Sequence, residues 1–144
     1  MFSNPLPSSS IHFSVSFREY ANSHYRKEFQ KKYKGKQWEY TEKSIFEDLR
    51  RLRAPNNTTQ FSMQVDQLKH KDDYWLIKYD FRIAGKKEST KNSGNRIVAF
   101  INNNINKLDI LLIYSKTDLP KNIKETAFIE RTIKEVYPEI TKLF

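Results

Sequence analysis

The 144-residue chain carries 26 Lys+Arg against 17 Asp+Glu, a formal net charge of +9, and no cysteine. That excludes disulfides, thiol nucleophiles and thiolate metal sites, and no apolar run approaches the ~18 residues that a membrane helix needs. A chain of this length suits one domain able to bury roughly two-thirds of its unfolded surface. The charge favours an anionic partner: nucleic acid first, with an acidic protein or a membrane surface as other candidates.

Residues 1–10, MFSNPLPSSS, hold two prolines and four serines and read as a flexible lead-in. They lack the basic n-region and apolar stretch of a signal peptide. Residues 11–144 then read as a single domain. In 11–17, Ile11, Phe13, Val15 and Phe17 alternate with His12, Ser14 and Ser16, which predicts a strand with one buried face. Residues 19–34 predict a helix with Ala21, Tyr25, Phe29 and Tyr33 on one stripe, stopped at Gly35. A second helix is predicted over 41–53, with Thr41 as its cap and Ile45, Leu49 and Leu52 as its apolar stripe. Arg50, Arg51 and Arg53 crowd its last turn, where they serve either the helix dipole or an RNA contact. Residues 18–53 contain 11 basic and 6 acidic side chains, a balance of +5.

The remainder reads as strand-rich: 61–65, 74–83, 95–101 and 108–114, with Asn-rich INNNINK turning between the last two. The final helix is predicted to start near Asp118–Pro120, with Asp118 as cap, and to close at Pro138. Consecutive strands with short connections should pair antiparallel. The expected fold is α+β: an antiparallel sheet of about four to five strands, two N-terminal helices on one face and a C-terminal helix.

Metal chemistry has no support: His12, His24 and His70 lack ligand spacing, and no cofactor is implied. Neither a phosphate-cradling glycine loop nor a GxSxG elbow occurs. The chemistry-bearing segment is basic. Lys78 and Arg82 stand four apart on one predicted strand and so should share a face. Lys86, Lys87 and Lys91 follow in the loop GKKESTKNSG, Arg96 opens the next strand, and Lys116 lies just past 108–114. Converging cations can hold phosphates and stabilise a phosphoryl-transfer transition state. The bland alternative is that the loop lysines are solvated and that Arg96 and Lys116 pair with carboxylates. Tyr74, Trp75 and Tyr79 read as core or as base-stacking groups.

The order of elements and the wording of residues 78–122, with KNSGNRIVAF at 91–100 and IYSK at 113–116, resemble the RelE/ParE superfamily of type II toxin-antitoxin toxins, in particular its HigB-like branch. The resemblance spans roughly 11–136, and its specific wording covers about a third of the chain. It implies a compact RelE-like domain that cleaves messenger RNA, commonly on the ribosome, by attack of the ribose 2′-hydroxyl on the adjacent phosphate without metal. It further implies cytoplasmic action and neutralisation by an acidic antitoxin. Carried over, Arg96 would contact the scissile phosphate, Lys116 and Arg82 would stabilise developing charge, and Lys78 would act as base or phosphate clamp. Lys86, Lys87 and Lys91 would bind RNA. Departures are Asp80, at a position often basic in the family, Thr117 after IYSK, and the lack of a tyrosine in 115–136; these leave the general acid and base unassigned. A non-catalytic RNA-binding module of the same fold, or a ParE-like inhibitor of DNA gyrase, is the alternative implied function.

Overall fold

The computed structural model describes residues 12–52, 61 and 65–144. The lead-in at 1–10 lies outside the described residues, as do Arg53 and the interior of the strand expected at 61–65.

The first strand, β1 (Ser14–Phe17), turns Val15 and Phe17 inward as its alternation predicts. Helical residues follow as α1 (Glu19–Ala21), a π-turn over Asn22–Arg26, and α2 (Lys27–Lys32). Arg26 closes the π-turn. Its guanidinium lies 4.4 Å from the centre of the Phe17 ring and pairs with Glu42. Glu42 also accepts from Trp38 Nε1 at 2.9 Å, so one carboxylate clamps the first helical stretch to the next.

That next helix, α3 (Lys36–Arg51), starts earlier than the predicted 41–53. Gly35, at φ 68°, makes the break between α2 and α3, a conformation that side-chain-bearing residues resist. Thr41 is therefore no cap. It is buried within the helix, donates to Gln37 O at 2.7 Å and accepts from Ala84 N at 2.8 Å.

Four further strands complete one sheet: β2 (Asp66–Lys71), β3 (Tyr74–Phe81), β4 (Asn95–Asn102) and β5 (Lys107–Ser115), in the order β1-β5-β4-β3-β2. The antiparallel expectation holds for β2 to β5, but β1 pairs parallel to β5, from Ser14↔Lys107 to Phe17↔Ile110, and the sheet is mixed. No hairpin constrains β1, because α1 to α3 and β2 to β4 lie between it and β5 in the chain. In the β4–β5 turn, Asn106 takes φ 51°, as the asparagine-rich segment predicts.

Both faces of the sheet are covered. Trp38, Ile45 and Leu49 of α3 pack on Trp75, Ile77, Tyr79, Ile97 and Ile110. On the other face, Leu76, Val98, Leu112 and Tyr114 meet Phe128, Ile129 and Ile133 of α4 (Glu125–Val136) and Ile140 of α5 (Pro138–Thr141). Truncating a fully buried residue such as Leu49 to alanine costs about 2–5 kcal/mol. The C-terminal helix starts later than Asp118. Residues Lys116–Asp118 form one 3-10 turn, and Lys124 precedes the first turn of α4. Pro138 does not close the helical region; it opens α5. Trp75 and Tyr79 are core residues, and half-buried Tyr74 stacks on Phe100 at 5.8 Å. Among the described residues no helix is long and apolar enough to cross a membrane.

Candidate functional site

Strand register builds the site. Asp80 of β3 faces Arg96 of β4, and Arg96 faces Tyr114 of β5. One rung along the sheet, Lys78 stands opposite Asp66 of β2. By the two-residue period of a strand these side chains share the face that α4 covers. Glu125 then descends on them from the first turn of α4, where its charge suits the helix dipole.

Contacts are dense. Tyr114 OH donates to Glu125 Oε2 at 2.7 Å. Lys78 Nζ lies 3.5 Å from Glu125 Oε1 and 3.5 Å from Asp66 Oδ2. Arg96 Nε lies 3.1 Å from Asp80 Oδ1 and 3.7 Å from Glu125 Oε2. Its two terminal nitrogens donate to Asn95 O at 3.2 Å and Lys91 O at 3.0 Å. Three carboxylates thus face two cations, so the cluster carries no excess of positive charge.

Burial dominates the electrostatics. Arg96 is only 5% exposed. The Asp80 carboxyl is pushed above its ordinary range by burial, which outweighs the opposing pull of Arg96 and Lys78. The Tyr114 phenol is pushed far up by burial and by its bond to Glu125, so it stays a proton donor. Arg96 Nε and Asp80 Oδ1 are close enough to attract, yet neither buried atom has a hydrogen-bond partner among the described residues.

Above this cluster opens a polar cleft of about 300 Å³, lined by Val65, Asp66, Lys78, Asp80, Thr90 and Lys91. The loop between β3 and β4 forms one wall, and its backbone is pinned at several points. Ala84 N reaches Thr41, Ser93 Oγ reaches Phe81 O at 2.5 Å, and Lys116 N donates to Gly94 O at 2.8 Å. Gly94 takes φ 76° where the loop re-enters the sheet.

The basic residues expected at the site divide into two sets. Lys78 and Arg96 meet in the cluster, and Lys91 lines the cleft above them. Arg82 does not share the face of Lys78. It follows the end of β3 and lines a separate hollow on the α3 side with Asp48, Tyr79 and Phe81. Alternation stops where the strand stops. In that hollow Tyr79 OH donates to Asp48 at 2.6 Å. Lys86, Lys87 and Lys116 are exposed and meet no carboxylate among the described residues. Arg96 follows the bland alternative and pairs with carboxylates, whereas Lys116 does not.

Sequence reasoning missed Glu125 and Asp66. An acidic residue in the first turn of a helix was the signal for Glu125, but the helix was expected to begin earlier. Asp66 belongs to the polar edge strand DQLKHK, which carries no apolar alternation. Among the described residues, no three His, Asp or Glu side chains converge closely enough to hold a metal ion. No protein-family model, no curated protein and no solved structure matches the chain.

Proposed function

We propose that the chain is a metal-independent endoribonuclease of the RelE/ParE toxin type that cleaves translated messenger RNA. The observation that carries the reading is Glu125, whose carboxylate takes the Tyr114 hydroxyl and sits at ion-pair distance from both Lys78 and Arg96. A carboxylate so held can act as a general base beside cations that bind a phosphate. The α+β order and a sheet backed by helices agree with the fold that the resemblance implies.

In the proposed reaction, Glu125 takes the proton of a ribose 2′-hydroxyl. The 2′-oxygen bonds to phosphorus and the bond from phosphorus to the 5′-oxygen breaks. Lys78, with Lys91 at the cleft, balances the charge that develops on the phosphoryl oxygens, and the departing 5′-oxygen takes a proton from the Lys91 ammonium. The products are a 2′,3′-cyclic phosphate and a 5′-hydroxyl. Arg96, enclosed beneath the cleft, positions Glu125 and Asp80. Exposed Lys86, Lys87 and Lys116 attract the RNA backbone. An acidic antitoxin would answer the +9 charge, and the site of action would be the cytoplasm and the ribosome.

A second reading has its own observation. The carboxylates of Asp80 and Glu125 neutralise the cations that would otherwise meet a phosphate, which favours an RNA-binding module of the same fold without catalysis.

The test is expression in bacteria with mapping of messenger RNA 5′ ends for the wild type, Glu125→Gln and Lys116→Ala. Cuts within translated codons that carry 5′-hydroxyl ends, and that vanish in Glu125→Gln, support the ribonuclease. Intact messenger RNA with salt-sensitive RNA binding supports the binding module. Arrest of DNA synthesis with intact messenger RNA would instead indicate a ParE-like gyrase inhibitor.

A further inference from the structure

We propose that the hollow on the α3 side of the sheet is a second nucleotide subsite, in which Arg82 holds a phosphate of single-stranded RNA, Asp48 holds the ribose of that nucleotide, and Tyr40 stacks on its base. The inference rests on the RNA-binding reading above and extends it to a nucleotide away from the cleavage step.

The hollow is about 250 Å³ and is lined by Thr41, Ser44, Asp48, Tyr79, Arg82 and Thr90, with apolar side chains at its floor. It holds two opposite charges that do not meet. Arg82 is exposed and Asp48 half-buried, yet no ion pair joins them, and Arg82 meets no carboxylate among the described residues. Asp48 Oδ2 accepts from the Tyr79 hydroxyl at 2.6 Å, and no described side chain donates to Oδ1. Burial and this bond push the Tyr79 phenol far up, so it keeps its proton and continues to hold the carboxylate. A free acceptor and a free cation kept apart in one hollow fit a ligand with a hydroxyl donor at one end and an anion at the other. The 2′-hydroxyl and phosphate of a ribonucleotide are such a pair, and DNA lacks the hydroxyl.

The aromatic group stands beside them. Tyr40, Ser44 and Asp48 are four residues apart on α3 and so form one row along the helix. Tyr40 is 56% exposed, one of two large apolar side chains exposed among the described residues. Exposed Lys36 and Lys43 flank it, one turn before and one turn after. A bare ring between cations is the surface on which single-stranded RNA stacks its bases while the ammonium groups follow its backbone.

The hollow is continuous with the cleft of the candidate site. Thr90 lines both, so the loop between β3 and β4 is their common wall. Lys78 and Arg82 are four residues apart along β3 and its end, about 13 Å at the rise of a strand. One RNA chain placed with its reacting phosphate at Lys78 therefore passes over the loop and sets a flanking nucleotide in the hollow.

The experiment measures affinity for a short single-stranded RNA whose central nucleotide lacks the 2′-hydroxyl and cannot be cleaved, beside an all-deoxy oligomer of the same sequence. Arg82→Ala should weaken RNA binding and flatten the slope of log affinity against log salt by about 0.7, the mark of one lost phosphate contact. Tyr40→Ala should weaken it by at least about fivefold, and Tyr40→Phe should restore it. Both side chains are exposed, so neither variant tests folding. Asp48→Asn keeps an acceptor for Tyr79 and should narrow the preference for RNA over the all-deoxy oligomer; an equal loss for both oligomers overturns the ribose contact. A dinucleotide spanning only the cleavage step should bind the wild type, Arg82→Ala and Tyr40→Ala alike. If Arg82→Ala and Tyr40→Ala bind the longer RNA as the wild type does, the subsite is overturned, whether or not the protein cleaves messenger RNA. The expected losses in a protein that leaves messenger RNA intact would keep the subsite and remove the ribonuclease, and a wild type that binds no RNA would remove both.

Discussion

The Tyr114 hydroxyl donates to Glu125 Oε2 at 2.7 Å, joining the last turnward residues of β5 to the first residue of α4. Eleven positions separate the two in sequence, and the segment between them holds a 3-10 turn and Pro120. The bond therefore fixes the start of α4 over the sheet. Tyr114→Phe removes the donor and leaves a half-buried carboxylate oxygen with only its cations. The expected loss is about 1–2 kcal/mol in denaturant unfolding. RNA cleavage should slow while RNA affinity holds.

Arg96 and Asp80 should couple strongly. Arg96→Ala leaves Asp80 and Glu125 close together without their shared cation. It is expected to cost about 3–5 kcal/mol, the scale of a broken buried pair. Asp80→Asn, which keeps an acceptor near Arg96, should cost less than Asp80→Ala. In the double variant Arg96→Ala, Asp80→Ala the two losses should fall short of additive, and strict additivity in the unfolding cycle would contradict the pairing.

Lys86→Ala, Lys87→Ala and Lys116→Ala touch exposed side chains without carboxylate partners among the described residues. Each should leave stability within about 0.5 kcal/mol of the wild type. Binding to single-stranded RNA should weaken for all sequences alike, and each lost phosphate contact should flatten the slope of log affinity against log salt by about 0.7. A stability loss with an unchanged salt slope would take these lysines out of the RNA path.

Thr41→Val is expected to loosen the loop between β3 and β4. The hydroxyl of Thr41 is the acceptor for Ala84 N, and it is buried. Valine fills the space but leaves that amide unanswered, at a cost of about 1–3 kcal/mol. Hydrogen exchange should accelerate at Ala84 and along the loop that carries Lys86, Lys87 and Lys91, while exchange in β4 and β5 stays slow.

The buried phenols predict an alkaline limit. Burial raises Tyr137 to about 12. It raises Tyr79 further, helped by the bond to Asp48, and Tyr114 further too. Below the ordinary phenol value of 10.0 both the folded and unfolded chains keep the proton, and the stabilisation is intact. Above it the unfolded chain releases the proton and the folded chain does not. Stability should therefore fall from about pH 10 upward, by about 1.4 kcal/mol per pH unit for each phenol still protonated. Denaturant titrations at rising pH measure the slope, which Tyr79→Phe should reduce.

Much of the architecture is legible in local pattern. The apolar runs of β3, β4 and β5, the stripe of Ile45 and Leu49, and the asparagine turn before Lys107 each follow from the neighbours of a residue in the chain. Propensity and period act over a few positions, so a single sequence displays them. The same locality explains the failures at Thr41, at Asp118 and at the edge strand containing Asp66. Each depended on a partner distant in sequence: Ala84 for Thr41, the sheet under α4 for the helix start, and β3 for the polar strand.

By itself, the sequence determined that this is a basic, cysteine-free α+β chain with Lys78, Arg96 and a lysine-bearing loop in its strand region. Only the tertiary structure decided that β1 runs parallel to β5, that Arg82 faces the other side of the sheet, and that Arg96 and Lys78 meet Asp80, Asp66 and Glu125. The physical reason is that a charge has no meaning for chemistry until its neighbours are known. Strand register and the landing point of α4 choose those neighbours, through packing spread over the whole sheet.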